Sequence, residues 1–319
     1  MAQAQYGPAE PRAVPAEAAA TAGRARASTS ADAAGLGRRG ALTFVAPALL
    51  LIAVFLILPA LWTLYLGLTN YRLTGLEAAH PQVIGTDNYT SAVNDPEFRD
   101  ALGRTLLFVF GSAVVGQNLL GFALAWSLRS VRRLVRAIVE TFVLVAWILP
   151  GAVVAWLWIA FLKDQGGTLN VILHTPGRDW WFDHPMGALI VFNTWRGTAF
   201  SMMLFAAALS SVSPNLLESA RLAGASGRQQ LRDVVFPSIR GHILTNTLLI
   251  SLWTFNDFTP YLITKGEPHG ASAVLPVYIY LTALPGERLG FASAISLIML
   301  LINLVLALVY VGVLRRRPA

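Results

Sequence analysis

Long apolar stretches separated by short polar segments dominate this sequence of 319 residues. We predict that six of the stretches are helices, at residues about 41–68, 104–128, 137–162, 186–211, 242–264 and 289–314. About 20 residues at a rise of 1.5 Å per residue are enough to cross the ~30 Å apolar core of a bilayer. Pro150 and Gly151 lie inside the third stretch, where we expect a kink. The pattern therefore predicts an all-α polytopic membrane protein with six transmembrane helices.

The basic residues of the polar segments indicate how these spans are oriented. Cytoplasmic loops of membrane proteins retain arginine and lysine. The outer segments predicted here instead collect acidic residues such as Asp87, Asp95 and Asp179. If the N-terminus is cytoplasmic, the inner segments hold sixteen of the 24 basic residues, namely Arg12, Arg24, Arg26, Arg38, Arg39, Arg129, Arg132, Arg133, Arg136, Arg221, Arg228, Arg232, Arg240, Arg315, Arg316 and Arg317. The charge pattern therefore predicts that both termini are cytoplasmic.

Two polar segments flank the predicted membrane domain at residues 41–314. Residues 1–38 are mostly Ala, Pro, Arg, Ser and Thr, which bury too little apolar surface to fold, so we expect a disordered cytoplasmic tail. We expect residues 315–319 to form a basic cytoplasmic end.

Composition excludes several classes of function. Only 13% of the residues are charged, against about 25% in soluble domains. The net charge of +7 comes from arginines beside apolar spans, so topology explains it and we expect no nucleic-acid partner. There is no cysteine, and the five histidines lack ligand spacing, so we expect no metal site, no catalytic residues and no enzymatic activity.

The polar segment at residues 213–237 is much longer than a simple turn between two spans requires. Ser213 and Pro214 are typical of a helix start. Gly224 is expected to end that helix, because glycine readily adopts the left-handed conformation just past a helix C-terminus. The first helix has apolar residues at helical spacing, namely Leu216, Leu217, Ala220 and Ala223.

A second short helix is predicted after the glycine turn. Ser226 and Gln229 have the spacing of a capping box, and Pro237 is expected to break this helix before the fifth span. One interpretation is an amphipathic segment resting on lipid headgroups. A docking surface for a partner explains the sharp turn better, because a surface anchor would be one continuous helix.

This segment resembles the EAA motif of ABC importer permeases. The residues that carry the resemblance are Glu218, Ser219, Ala220, Gly224, Val234, Val235, Phe236 and Pro237. Ser219 stands in place of the usual alanine, and Ala223 stands where many members have aspartate. The stretch Gly85–Tyr89 also resembles the first outer loop of sugar-type permeases. The chain is similar to the maltose and glycerol-3-phosphate permease subfamily over about residues 42–314.

The resemblance implies the type I ABC importer permease architecture in a bacterial-type cell membrane. It also implies three protein partners: an ABC ATPase dimer, a second related permease, and an extracytoplasmic solute-binding protein. The ATPase coupling residues would be Glu218, Ser219, Ala220, Gly224 and Pro237. The chain has two lysines, Lys163 and Lys265, and neither follows a glycine-rich turn. We therefore expect it to bind no cofactor itself, and ATP and Mg²⁺ to bind the partner ATPase.

Polar residues inside the fourth and fifth spans predict a path for a solute, because such groups are costly in lipid. Asn256 and Asp257 favour a water-filled path. Arg196 and Asp257 lie ~13 Å and ~10 Å inside the outer ends of their spans at 1.5 Å per residue, so we hypothesise an ion pair. By analogy with the maltose-type relatives, Trp253 would offer a stacking surface for a sugar ring.

A stripe of hydroxyl residues lies on the same predicted helix, formed by Thr247, Ser251 and Thr254. It fits either the solute path or helix–helix packing, where small hydroxyl residues are common. On the outer side, the aromatic stretch Asp179–Asp183 fits a contact with a binding protein or an interfacial aromatic belt.

The sequence thus favours the permease subunit of an ATP-driven, binding-protein-dependent importer, with a mono- or oligosaccharide as cargo. One alternative keeps this class and changes the cargo to glycerol phosphate or a polyol. A second alternative is a secondary transporter driven by an ion gradient, which would need no docking hairpin. A membrane enzyme or anchor is disfavoured because no catalytic cluster is evident.

Overall fold

The computed structural model describes residues 38–315, and side chains from 42 to 313. The predicted tail at 1–38 and basic end at 315–319 lie outside this range except for one residue each. The chain divides after Trp62 into two units, and the bundle and site described below belong to the unit that begins at Thr63. Within the described range all regular structure is helical, apart from an isolated antiparallel bridge between Thr69 and Val83.

Fourteen helices, here α1 to α14, follow one another along residues 38–315. Three of them, α1, α4 and α11, contain a wider π-helical segment. Their bounds are α1 Arg38–Ile52, Ala53–Ile57 (π) and Leu58–Gly67; α2 Leu76–Ala79; α3 Asp87–Asn94; α4 Pro96–Phe108, Val109–Gln117 (π) and Asn118–Leu128; α5 Arg133–Ile148; α6 Gly151–Leu162; α7 Thr168–Leu173; α8 Trp180–Asp183; α9 Pro185–Ser210; α10 Pro214–Leu222; α11 Gly227–Gln230, Leu231–Val235 (π) and Phe236–Phe255; α12 Thr259–Thr264; α13 Leu275–Ala283; and α14 Leu289–Arg315.

The predicted first, second and sixth spans correspond to helices that are long and apolar enough to cross a membrane. These are Leu42–Gly67, Pro96–Leu128 and Leu289–Val313. Two bent helix pairs bring the number to at most five in the described range, if each pair is counted as one span. The count of six spans and the cytoplasmic termini therefore stay predictions.

The predicted third span is broken rather than kinked. The axes of α5 and α6 form an angle of 105°. Leu149 and Pro150 have extended backbone, with ψ of 138° and 137°. Proline has no N–H to donate, and it disfavours a helical conformation in the residue before it, so the helix ends there. At 1.5 Å per residue α5 and α6 are only about 24 Å and 18 Å long, so neither crosses a bilayer alone.

The predicted fifth span differs at both of its ends. Pro237 was expected to end a short helix, but α11 continues through it from Gly227 to Phe255. The π segment Leu231–Val235 lies directly before the proline, and a widened turn is one way in which a helix accommodates such a residue. At the outer end α11 stops at Phe255, and the chain resumes as α12 at Thr259.

Close packing of α4 against α9 forms the centre of the bundle. A Cβ added at Gly121 would lie 2.9 Å from the backbone N of Met202, and one at Gly197 would lie 2.2 Å from the side-chain carboxamide of Gln117. Small residues at such contacts let two helix backbones approach each other. This contact fixes the positions of the polar side chains that α4 and α9 contribute to the site.

Candidate functional site

A sharp turn after α10 forms the tip of the segment that the sequence singled out. Gly224 has φ of +81°, as predicted for the residue after a helix end. Its N–H donates to the Arg221 carbonyl at 2.9 Å, and the Ala225 N–H donates to the Ala220 carbonyl at 2.9 Å. These two bonds make a Schellman motif, which satisfies carbonyls at the end of α10.

The second arm of this hairpin starts with the predicted capping box. The Gln229 carboxamide oxygen accepts from the Ser226 N–H at 2.8 Å, and the Ser226 hydroxyl accepts from the Gln229 N–H at 3.4 Å. Gln230, which the sequence did not single out, is buried and donates from Nε2 to the Ala225 carbonyl at 2.9 Å. The turn is therefore held from both arms.

Burial divides the hairpin into an anchored side and a free side. Leu217, Val235 and Ile239 are buried against residues of α4 and α9, in one apolar cluster. Leu222 is 91% exposed, and Leu216 is exposed as well. The predicted coupling residues that are exposed are Glu218, Ser219, Gly224 and Pro237, while Ala220 is half-buried. The free side of the hairpin thus exposes both polar and apolar side chains.

A small cavity lies between α4, α5, α9 and α11, inside the bundle. Its volume is about 30 Å³, which is room for a water molecule or two. Of the predicted pathway residues, it brings together Arg196, Trp253 and Asp257. Its full lining is Gln117, Trp147, Asn193, Arg196, Gly197, Phe200, Ile250, Trp253, Thr254 and Asp257.

Three aromatic rings form one wall of this cavity. The Trp147 ring centroid lies 5.8 Å from that of Trp253 and 6.0 Å from that of Phe200, and the Phe200 and Trp253 centroids lie 6.0 Å apart. Trp253 is half exposed. Such rings provide broad apolar faces against which a cyclic ligand can pack.

Arg196 and Asp257 meet at the opposite side of the cavity, as hypothesised. Arg196 Nη1 lies 3.9 Å from Asp257 Oδ2, with side chains 18% and 9% exposed. Thr259 bridges the two groups: its hydroxyl donates to Asp257 Oδ1 at 2.6 Å and accepts from Arg196 Nη1 at 2.9 Å. The backbone N–H of Thr259 also donates to Asp257 Oδ1 at 2.9 Å. Both charges are therefore partnered at low exposure.

Asn256 does not line this cavity, and its place on a solute path stays a prediction. Its side chain is exposed and exchanges hydrogen bonds with the Asn303 carboxamide of α14, at 3.2 and 3.3 Å. The helix α11 ends at Phe255, and of the two residues that follow only Asp257 lines the cavity. Asn256 therefore joins α11 to α14 outside the cavity.

Two of the three hydroxyl residues of the α11 stripe bond to neighbouring helices, whereas the buried Ser251 hydroxyl has no hydrogen-bond partner among the described residues. Asn118 Nδ2 donates to the Thr247 hydroxyl at 3.2 Å, and Asn193 Nδ2 donates to the Thr254 hydroxyl at 3.2 Å. Asn246 Nδ2 donates to Asn118 Oδ1 at 3.0 Å. These bonds tie α11 to α4 and α9, while Thr254 also lines the cavity.

Sequence reasoning missed the amide side chains of the cavity. Gln117 donates from Nε2 to the Asn193 carbonyl at 3.0 Å, and both side chains are buried. A signal was available, because Gln117 and Asn193 are polar residues within predicted spans. Among residues 38–315 no group of three or more His, Asp or Glu is placed to hold a metal ion.

The segments predicted to lie on the outer side carry polar and aromatic side chains. Asp179 begins α8 by accepting from the backbone N–H groups of Trp181 and Phe182, at 3.1 and 3.0 Å. Near the start of α4, Tyr278 donates to Asp95 at 2.9 Å. Burial and the Asp95 carboxylate raise the pKa of Tyr278 above its ordinary value, so the phenol stays neutral.

Comparison with known proteins gives a consistent result. A family described as "Binding-protein-dependent transport system inner membrane component" matches residues 117–317. The "Sulfoquinovosyl glycerol transport system permease protein SmoG" of Agrobacterium fabrum is 24% identical over 87% of this chain and 91% of its own length. The "Probable starch degradation products transport system permease protein AmyD" of Thermoanaerobacterium thermosulfurigenes is 24% identical over 86% and 93%.

A solved structure shares the fold. A chain of a bacterial alginate ABC transporter, in complex with an alginate pentasaccharide-bound periplasmic protein, superposes with a TM-score of 0.70. It is 22% identical in sequence, and the match covers 84% of this chain and 91% of that chain.

Proposed function

Because the chain belongs to the family of binding-protein-dependent transport system inner membrane components, and is thus the permease component of an ABC importer, we propose that its cargo is a carbohydrate. The observation that carries this proposal is the cavity lining. Its lining combines three aromatic rings with amide groups, a hydroxyl and an ion pair. This combination is complementary to a sugar ring, which has both apolar faces and hydrogen-bonding hydroxyls. The names of SmoG and AmyD, which specify sugar-containing cargoes, support the same class.

The charge of the lining favours a neutral sugar over glycerol phosphate. The cavity is lined by one cation, Arg196, and one anion, Asp257, among the residues that the structure describes. Arg196 is already engaged by Asp257 and Thr259. A phosphate would have to displace these partners. A polyol would satisfy the polar groups but would leave the aromatic wall unfilled.

Transport through this cavity requires movement. At about 30 Å³ the cavity is too small for a sugar ring. We infer that α9 and α11 separate when cargo passes, and that a second permease supplies the rest of the path. The work would come from an ATPase dimer, since the chain has no phosphate-binding loop of its own.

The hairpin is proposed as the surface that receives this ATPase. Its free side carries Glu218, Ser219 and Leu222, while Leu217 and Val235 fix it to the bundle. Such a knob transmits a rigid-body displacement to the helices behind it. An extracytoplasmic binding protein would deliver the cargo at the opposite end, where α8 lies.

The test is ATP-driven uptake by proteoliposomes that contain the chain with its ATPase and second permease. The binding protein, loaded with the sugar found by ligand screening, is supplied outside. Trp253→Ala should lower uptake several-fold, because it removes one of the three rings of the aromatic wall, while Trp156→Ala, which changes an exposed tryptophan of α6 outside the cavity, should not. Equal uptake by both variants would contradict a sugar path through this cavity.

The same vesicles separate an importer powered by ATP from an ion-driven transporter. Uptake should stop when internal ATP is omitted and should continue after an uncoupler is added. Uptake that continues without ATP and stops after the uncoupler would contradict the role proposed for the hairpin.

A further inference from the structure

A second cleft, of about 310 Å³, lies at the end of the bundle that carries the hairpin. It is bounded by the last turn of α4, the first turns of α5 and the end of α9, and Pro214, the first residue of α10, forms part of its rim. None of the residues that line the cleft lines the translocation cavity. The function proposed above therefore does not explain this cleft.

Two arginines form the polar side of the cleft. The Arg129 guanidinium carbon lies over the Trp126 ring, 4.9 Å from its centroid, and this cation–π contact holds the arginine side chain in place. Arg136 donates from Nε to Glu140 Oε1 at 2.8 Å, an exposed ion pair that orients the guanidinium. The planar donor fork of arginine matches the oxygens of a phosphate. With one glutamate against two arginines, the lining retains a net positive charge.

The other side of the cleft is apolar. Leu128, Leu209 and Val212 are buried in the cluster behind it, and two alanines complete the wall. A cleft that is cationic on one side and hydrocarbon on the other fits an amphiphile better than a soluble anion. In the chain, Arg132 and Arg133 lie between the two arginines of the cleft, so four arginines fall within residues 129–136.

From this arrangement we propose that the cleft binds an anionic phospholipid, with Arg129 and Arg136 holding the headgroup phosphate and the leucine-lined wall receiving the upper part of an acyl chain. Basic pockets between helices on the cytoplasmic side of a membrane favour anionic headgroups. Because Pro214 borders the cleft, the bound lipid would lie against the base of the hairpin. Lipid composition would then influence how firmly the hairpin is held.

The test compares two double variants that remove the same charge from residues 129–136. Arg129→Gln with Arg136→Gln changes the cleft, and Arg132→Gln with Arg133→Gln changes only the arginines that do not line it. The chain is purified with its partner subunits and is exposed to equal amounts of phosphatidylglycerol and phosphatidylcholine. The retained lipids are then counted by native mass spectrometry.

The cleft variant should lose its preference for phosphatidylglycerol by roughly 25-fold, because each basic group near a membrane surface contributes about a fivefold factor and the variant removes two. The control pair should change the preference by much less. An equal loss in both pairs would mean diffuse attraction to the turn, and no loss in either would mean that the cleft is empty; both results overturn the proposal. Displacement of the lipid by inorganic phosphate at millimolar concentration would also overturn it, in favour of a soluble anion.

A control for folding keeps the result interpretable. The Arg136–Glu140 pair is exposed, so its loss should affect stability little. The cleft variant should therefore elute with its partner subunits like the unaltered chain. Arg129→Lys with Arg136→Lys keeps the charge without the planar fork and should retain part of the preference; a complete loss with lysine would contradict an electrostatic site.

Discussion

Replacing Gly224 by alanine should weaken the hairpin without any steric clash. A Cβ at this position would meet nothing within 4 Å, so the effect is purely conformational. The residue has φ of +81°, where a non-glycine residue costs about 1–2 kcal/mol. Because the tip of the hairpin is exposed, this cost should fall on the local turn rather than on the bundle. A change of that size lowers the population of the native turn relative to alternatives by about 5- to 30-fold.

Uptake by the reconstituted importer measures this loss, because a misfolded tip should dock poorly on the ATPase. Gly227→Ala is the matched control: Gly227 is the first residue of α11, also has open space around it, and has no positive φ. We expect uptake to fall several-fold for Gly224→Ala and to stay unchanged for Gly227→Ala. Undiminished uptake with Gly224→Ala, or an equal fall with both variants, would refute the idea that the Schellman turn shapes the docking surface.

Three further predictions test the packing, the ion pair and the turn. Gly121→Ala should lower the free energy of unfolding by about 1–3 kcal/mol through overpacking, whereas Gly103→Ala, in open space, should not; thermal melts would show the difference. Arg196→Gln and Asp257→Asn should each lower uptake several-fold, because each leaves the other charge without its counter-ion at low exposure, and the double variant should regain part of the lost uptake; additive effects in the double-mutant cycle would exclude coupling. Gln230→Ala should cost the turn about 1 kcal/mol, seen as faster amide exchange in residues 213–230; unchanged exchange would contradict its role.

The parts of the hairpin that the sequence predicted well are those that depend on neighbours along the chain. Ser226 and Gln229 form a capping box through contacts three residues apart, and Gly224 is required by the local backbone. The sequence predicts the contact between Arg196 and Asp257 because the two opposite charges lie at similar depths in neighbouring predicted spans. Local chemistry and membrane depth were sufficient for these predictions.

The errors arose where a distant contact or a helix irregularity decides the structure. Proline usually ends a helix. At Pro237, however, α11 continues, with the π segment directly before the proline. Asn256 bonds to Asn303 of α14, a partner that no pattern within the predicted fifth span reveals. The role of Gln117 depends on Gly197 of another helix, and no pattern within α4 reveals that partner.

The continuity of α11 means that the second arm of the hairpin and the cavity belong to one unbroken helix. Its segments of four, five and 20 residues are together about 43 Å long at 1.5 Å per residue. A tilt applied near Gly227 would swing Trp253 at the far end, with no loop between them to absorb the motion. The π segment, close to the driven end, is the part of this helix where compliance would be concentrated. The stiffness of those five residues would determine how much of a displacement at Gly227 is transmitted to Trp253.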